Sequence, residues 1–199
     1  NEYAQAFADF DRAIQLDPNN AKAYTFRALV ELTRDDLDKA LSDLNKAIGI
    51  DPHLAQAYAL RGSAYMMRGD RASAAVDLDK AVEVAPEASQ GFFDRARARY
   101  VWGDFSGAAE DLSHSGEKNA RIYPYALLFR YLARRHDGQE ADNDLKAGFG
   151  RLKDKSWPYA VLELYTGDRT PEATLAAASK PDAASTSKGP TASSSSNPS

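Results

Sequence analysis

The apolar and small residues of this chain recur with a period of 34 positions. A bulky apolar residue stands at Phe10, Leu44, Leu78 and Leu112, and an alanine precedes each of these by four residues, at Ala6, Ala40, Ala74 and Ala108. The same period spaces the prolines Pro18, Pro52 and Pro86 and the aspartates Asp9, Asp43, Asp77 and Asp111. Agreement at so many positions indicates an internal repeat, which predicts an array of equivalent structural units.

The unit at residues 55–88 predicts a pair of helices. Its side chains form two stripes with helical spacing, the first at Tyr58, Arg61, Gly62 and Tyr65 and the second at Ala74, Leu78 and Ala81. Gly69 and Asp70 separate the stripes, because glycine tolerates a tight turn and aspartate caps the helix that follows. Pro86 ends the second helix, since the residue before a proline is pushed out of the α region.

These residues resemble the tetratricopeptide repeat (TPR), a helix-turn-helix unit with aromatic, small and proline residues at fixed sites. The resemblance implies an all-α solenoid whose units stack into a right-handed superhelix. Four sites depart from the pattern. Arg61 replaces the usual leucine, Glu31 stands where a tyrosine is usual, and Ser115 and Ala120 replace the final alanine and proline of the third full unit. We expect the array to occupy residues 1–121, with a half repeat at 2–18 and full repeats at 21–54, 55–88 and 89–121.

Beyond residue 121 the register slips by one, and the pattern is predicted to restart at Ile122. The stripe then continues at Tyr125, Leu128, Leu132, Ala141, Leu145 and Gly148. Further helices are expected at 157–166, closed by Gly167, and at 171–179, where Thr170 is a good helix cap. Residues 122–179 are therefore predicted to form a degenerate, TPR-like helical cap.

Residues 180–199 consist mostly of Ser, Thr, Ala, Pro, Gly and Lys, and none of them is a bulky apolar residue. Such a segment cannot bury enough surface to offset the entropy of ordering it. We expect a disordered Ser/Pro-rich tail, which is either a serine-rich linker or an artefactual terminus.

The amino-acid composition argues against several classes of function. The formal net charge of −4 is unlike that of a nucleic-acid-binding protein. There are no cysteines, so disulfides, thiolate nucleophiles and thiolate metal sites are excluded. No run of apolar residues is long enough to span a bilayer. Because the chain opens at Asn1 without a signal sequence, we expect a fragment or a mature form.

A second resemblance covers residues 124–173. Its motif consists of Tyr131-Leu132-Ala133, Trp157, Val161-Leu162-Glu163-Leu164-Tyr165, Gly167 and Thr170-Pro171-Glu172. This segment is similar to the C-terminal half of bacterial NlpI-like TPR lipoproteins. Those are envelope adaptors whose TPR groove scaffolds periplasmic hydrolases and a PDZ-bearing protease. The resemblance favours a bacterial periplasmic or envelope location, although the chain has no lipobox cysteine.

In TPR proteins the first helix of each repeat lines a concave groove. Carried onto this sequence, the predicted groove residues are Lys22, Thr25, Leu29, Leu32 and Thr33, then Gln56, Ala59, Ser63, Met66 and Met67, then Gln90, Phe93, Arg97, Tyr100 and Val101. The Lys/Asn clamp that holds a C-terminal carboxylate in chaperone-tail TPRs is missing, because its sites carry Thr25, Leu29, Leu60, Gln90 and Asp94. The groove instead suits an apolar helix or extended segment, with methionines adapting to it and Arg97 orienting an acidic side chain. Met66 and Tyr100 have an alternative interpretation as packing residues between helices.

Other polar residues have structural explanations. We expect the periodic aspartates to pair with the periodic arginines Arg27, Arg61 and Arg95, since a half-buried guanidinium needs partners. Asp36 is read as a helix cap and His53 as a solvated loop residue. The sequence shows no phosphate-binding glycine loop, nucleophile elbow or metal-ligand spacing. It therefore predicts no enzyme, no cofactor and no metal.

The function predicted from the sequence is that of a scaffold that binds a protein or peptide partner. The alternative is a self-association or assembly module of a larger polypeptide.

Overall fold

The computed structural model describes residues 2–117, 119–152 and 158–178. Within these ranges the chain is all-helical. The helices are α1 (Glu2–Leu16), α2 (Ala21–Thr33), α3 (Leu37–Ile50), α4 (Ala55–Arg68), α5 (Arg71–Val84), α6 (Ser89–Val101), α7 (Phe105–Glu117), α8 (Tyr123–His136), α9 (Asp142–Phe149), α10 (Tyr159–Thr166) and α11 (Pro171–Ala178). The chain divides into two units, Asn1–Ala141 and Asp142–Ser199.

In the first unit the helices pack as successive antiparallel pairs. α2 packs on α3, α4 on α5 and α6 on α7, and α8 packs on α7. Each pair buries the periodic residues that the sequence singled out, including Leu44, Leu78 and Leu112. A small residue faces each of these leucines. At Gly62 an added Cβ would lie 2.9 Å from the Leu78 Cγ, so this residue sets how closely α4 and α5 approach.

The turns within the repeats use a left-handed residue at one periodic position. Gly69 and Gly103 have φ of 83°, and Asp35 takes the same place with φ of 63°. Left-handed backbone costs an aspartate more than a glycine. Asp70 caps α5 by accepting a hydrogen bond from the Ser73 N–H at 3.1 Å, as predicted.

The cap predicted at Asp36 is only partly correct. Asp36 occupies the N-cap position of α3, but its side chain makes no capping hydrogen bond. Its carboxylate instead lies 3.3 Å from the Lys39 ammonium. Asp35, directly before it, has the left-handed conformation at the position where the later repeats have Gly69 and Gly103.

The prolines follow the ends of the second helices. α3 ends before Asp51, which is extended with φ of −130° and ψ of 95°. α5 ends before Ala85, which has φ of −132°. These are the residues that precede Pro52 and Pro86, so the sequence prediction for the helix ends is confirmed.

The register slip after α7 runs in the direction opposite to the prediction. The buried residues of α4 are Ala57, Tyr58, Ala59, Gly62 and Ala64, and those of α8 are Ala126, Leu127, Leu128, Tyr131 and Ala133. The two sets are 69 positions apart, which is one more than two periods. Left-handed Gly138 follows Gly103 by 35 positions and supports the same offset. One residue is inserted rather than deleted, so Tyr125 is exposed and Leu127 takes the aromatic's place.

The second unit contains α9, α10 and α11. Phe149 of α9 stacks on Tyr159 at 4.7 Å between ring centroids, and α10 packs on α11. Gly167 ends α10 in the left-handed conformation with φ of 85°. The Thr170 hydroxyl accepts from the Ala173 N–H at 3.3 Å, so the predicted helix start is confirmed. Trp157 and the predicted tail at 180–199 lie outside the described residues.

Candidate partner-binding surface

The first helices of the repeats form one continuous wall. α2 contacts α4, and α4 contacts α6, so equivalent faces of the three helices follow each other along the array. A second helix packs behind each of them. Side chains of the wall that point away from the second helices are therefore the ones that another molecule can reach.

Most of the predicted groove residues are accessible on this wall. Lys22, Leu29, Gln56, Met67, Gln90 and Arg97 are exposed, and Ser63, Met66, Phe93 and Tyr100 are half-buried. Met67 is 53% exposed and Val101 is 73% exposed, so both side chains present apolar area on the wall. Exposure at these positions is what a binding surface requires, and the assignment of the surface as a groove stays a prediction.

Thr25 is a correction to the predicted set. It is buried, and its hydroxyl donates to the Ala21 carbonyl oxygen at 2.8 Å within α2. The hydroxyl is thereby satisfied by its own helix, and no surface of the side chain is left for a partner. Two further residues of the predicted groove are also turned towards the protein interior. Ala59 is buried, and Leu32 packs against the core.

An apolar pocket opens between α6 and α8. It has a volume of about 120 Å³ and is lined by Ala96, Arg97, Tyr100, Val101, Leu112 and Phe129. Tyr100 packs edge-on against Phe129 and Phe105, with ring centroids 6.2 and 5.3 Å apart. Tyr100 therefore packs between helices, as its alternative interpretation had it, and it also lines the pocket; its contact with a partner stays a prediction.

The sequence did not identify Phe129 as part of this surface. With the repeat restarting at Ile122, Phe129 falls on the buried position that small residues occupy in earlier repeats. The predicted restart assumed one residue fewer and the structure has one residue more, so the two registers differ by two positions. Phe129 therefore lies at the edge of the wall, where it contacts Phe93 and Tyr100. The spacing of Arg130 was the available signal, because it follows Arg95 by 35 residues.

The periodic arginines and aspartates form a ladder behind the wall. In each repeat the arginine donates two hydrogen bonds to the aspartate of its own second helix, in the pairs Arg27–Asp43, Arg61–Asp77 and Arg95–Asp111, at 2.6 to 2.9 Å. Each arginine also reaches the second helix of the preceding repeat, at Asp11, Asn45 and Asp79 respectively. The predicted pairing is confirmed for Asp43, Asp77 and Asp111 but not for Asp9, because Arg27 contacts Asp11 in α1 instead, and each arginine joins three helices.

The rings of the first helices complete the ladder. The guanidinium carbons of Arg27, Arg61 and Arg95 lie 5.6 to 5.7 Å from the ring centroids of the preceding Tyr24, Tyr58 and Phe92. Hydrogen bonds to the carboxylates raise the pKa of all three arginines, so these residues remain charged. They are part of the framework and are not available to a ligand.

Two carboxyl groups of the first helices have perturbed acidity. Burial raises the pKa of Glu31 to about 7, and the nearby charge of Asp43 adds to the effect. Burial also raises the pKa of Asp94, although the Gln90 amide donates to it at 3.1 Å and opposes the shift. Neither lies in a cluster of metal-ligating residues, and such clusters are absent from the part of the chain that the structure describes. In the same part, each helix is too short or too polar to cross a membrane.

Comparisons of sequence identify the repeats. Residues 1–55 and residues 55–87 each match a model of the tetratricopeptide repeat. The repeats predicted at residues 2–18, 21–54 and 55–88 therefore match this family, and the repeat predicted at 89–121 lies outside the matched residues. No curated protein matches the chain as a whole.

Solved structures share the fold of the chain. The MamA protein superposes with a TM-score of 0.64 at 19% identity, over 77% of this chain and 85% of MamA. YrrB, described as a TPR protein with an unusual peptide-binding site, gives 0.60 at 19% identity over 80% of this chain and 84% of YrrB. The TPR2B domain of yeast Sti1, solved in a complex with pHsp70, gives 0.54 at 21% identity over 58% of this chain and 96% of that domain. The fold is thus an all-α TPR solenoid.

Proposed function

We propose that this protein is a non-catalytic scaffold that binds a segment of a partner protein along the wall of its first helices. One observation carries the proposal: exposed apolar side chains and an apolar pocket occur on the accessible face of a continuous row of helices. Val101 is exposed and also lines the pocket. An apolar pocket bordered by exposed apolar surface is typical of an interaction site.

The chemistry of the wall suits an apolar helix or an extended peptide. Met67 offers a flexible and polarisable side chain that adapts to different shapes. Leu29 and Val101 add apolar area on the neighbouring first helices. A partner segment that contacts all three would bury their surface, and burial of apolar area supplies roughly 25 cal/mol per Å².

Two of the solved neighbours support the class of function. YrrB is described as having a peptide-binding site, and the yeast Sti1 domain was solved with pHsp70 bound. The identities of 19% and 21% are too low to transfer either ligand to this chain. They support binding of a protein segment as the general use of this architecture.

A matched pair of substitutions tests the surface. Val101 on α6 is 73% exposed and Val76 on α5 is 69% exposed. The same change to glutamate therefore introduces the same charge at similar exposure on a first helix and on a second helix. We expect Val101→Glu and Met67→Glu to weaken binding of peptides selected from a random library, whereas Val76→Glu leaves it unchanged. Equal effects of Val101→Glu and Val76→Glu would show that the wall is not the binding surface.

A role as a bacterial envelope adaptor is a narrower form of the proposal. It rests on the motif at 124–173, which resembles NlpI-like lipoproteins and includes the buried Tyr131 and Ala133. The full chain, used as bait in an envelope fraction of the source cell, should then retain periplasmic hydrolases or a protease by mass spectrometry. Retention that Val101→Glu does not reduce would count against this adaptor role.

Self-association is the second candidate, because α1 exposes Tyr3 and Leu16. Sedimentation velocity of the full chain over a range of concentrations decides it. A sedimentation coefficient that rises with concentration favours an assembly role, and a constant monomer value excludes it.

A further inference from the structure

Arg97 on α6 differs from the arginines of the ladder. Those of the ladder have their guanidinium groups bound to carboxylates behind the wall. Arg97 differs, because its side chain is 58% exposed and lies on the wall itself. Among the described residues its nearest acidic oxygen is Asp94 Oδ1, which is 3.7 Å from Nη1 and therefore beyond hydrogen-bond distance. Arg97 thus presents a positive charge whose donors are open to a ligand.

Asp94 forms only a long ion pair with Arg97 and accepts no hydrogen bond from it. Its carboxylate already accepts a hydrogen bond from the Gln90 amide at 3.1 Å. It is also mostly shielded from solvent, with 15% of its side chain exposed. A guanidinium binds a carboxylate most strongly through two parallel hydrogen bonds, and the position of Asp94 provides neither of them.

The apolar pocket lies directly beside Arg97, which forms one edge of it. Its 120 Å³ is somewhat smaller than a cavity of about 150 Å³ that admits benzene. A leucine, isoleucine or methionine side chain fits such a volume. Because Tyr100 and Phe129 form the pocket with the aliphatic Val101, the entering group must be apolar.

We propose that this end of the wall recognises a motif with two parts: an aliphatic side chain that enters the pocket, and an Asp or Glu side chain close to it that pairs with Arg97. The inference rests on the proposed function and specifies the chemistry of the partner. The acidic group is a side chain rather than a chain terminus, because the sites that would clamp a terminal carboxylate carry Leu60, Gln90 and Asp94. Because Arg97 offers one guanidinium and the Asp94 carboxylate lies beside it, we expect Arg97 to bind one flexible acidic side chain.

Selection from a random-peptide phage library with the full chain as bait provides the probe. We expect the selected peptides to combine Leu, Ile or Met with a nearby Asp or Glu. The consensus peptide is then synthesised with an amidated C-terminus, labelled and titrated by fluorescence anisotropy. Replacing its aliphatic residue by Ala, or its acidic residue by Asn, should each weaken binding about tenfold.

Reversing the charge of Arg97 tests its pairing with the acidic residue of the peptide most directly. Arg97→Glu should weaken the acidic peptide by about tenfold or more and should instead bind the same peptide with Lys in place of its acidic residue. Arg97→Gln should weaken the acidic peptide without creating the preference for Lys. Lys46→Glu, an exposed lysine on α3, is the matched control and should bind as the parent chain does. Circular dichroism melts of all variants confirm that they are folded.

The outcomes separate this inference from the proposed function. Peptides that bind the parent chain and Arg97→Glu equally, or that tolerate alanine in place of the aliphatic residue, overturn the motif and leave the scaffold function standing. Peptides that bind only with a free C-terminus overturn the choice of a side-chain carboxylate. If the parent chain selects no peptides at all, the proposed function itself is overturned.

Discussion

Replacing Arg61 by leucine tests how much the ladder stabilises the array. Leucine is the usual residue at this TPR position, so the change introduces a side chain that the fold accommodates. It removes the hydrogen bonds from Arg61 to both oxygens of Asp77, at 2.7 and 2.8 Å, and a third to Asn45 at 2.7 Å. Asp77 is then left 3% exposed without its counter-ion.

The expected cost of Arg61→Leu is about 3 kcal/mol of unfolding free energy. Removing one partner of a buried ion pair costs roughly 3–5 kcal/mol. The guanidinium of Arg61 retains some contact with solvent, with 19% of its side chain exposed, which places the cost at the lower end. Loss of the contact with the Tyr58 ring, about 0.5–1 kcal/mol, acts in the same direction.

Urea denaturation followed by far-ultraviolet circular dichroism measures this cost. The double variant Arg61→Leu/Asp77→Leu removes the stranded carboxylate as well, so it should be more stable than Arg61→Leu alone by about 1–2 kcal/mol. Arg135→Leu, at an exposed arginine of α8, is the control and should change the free energy by less than about 0.5 kcal/mol. An Arg61→Leu cost no larger than that of Arg135→Leu would refute the structural role of the ladder.

Three further substitutions probe the framework. Glu31→Gln should stabilise the protein by roughly 3 kcal/mol at pH 8 and by nothing below pH 4.5. Glu31 is 3% exposed with one oxygen unpaired, and burial raises its pKa from 4.5 to about 7, so the parent protein loses stability as the pH rises from 4.5 through 7 and Glu31 ionises. Equal stabilisation by Glu31→Gln at both pH values would contradict this. Asp35→Gly should stabilise by about 0.5–1 kcal/mol, because glycine relieves the positive φ, and a loss in the same urea titration would show that the aspartate is needed in the turn. Tyr58→Ala should cost about 3–5 kcal/mol, since the ring is buried against Ala59 and Ala81, and a loss below about 1 kcal/mol would place the ring outside the core.

The repeat period was sufficient to predict the fold of residues 2–117. Helix pairing follows from the two stripes of Tyr58 and Leu78 because only one face of each helix can be buried. The ladder was also predictable, since Arg61 and Asp77 recur with the period and a half-buried charge needs a partner.

The binding surface was harder to predict, for two physical reasons. Whether a wall residue is exposed depends on how neighbouring helices cover it, so Thr25 had the correct spacing and is nevertheless buried. The pocket depends on the register of α8. In the predicted register Phe129 would be buried in the core, whereas the inserted residue places it at the edge of the wall, where it lines the pocket. Repeat spacing alone did not give the direction of that shift.

The two methionines of the chain allow the most direct test of the central claim, that a partner binds along the first helices. They are Met66 and Met67, and they lie at the C-terminal end of α4. Protein labelled with ¹³C at the methionine methyl groups gives two signals, which can be followed while a library-selected peptide is added to saturation. If a partner binds along the first helices, the signal of the exposed Met67 shifts with the binding curve and Val101→Glu weakens this response. Saturation with both methyl signals unchanged would place the partner on another surface.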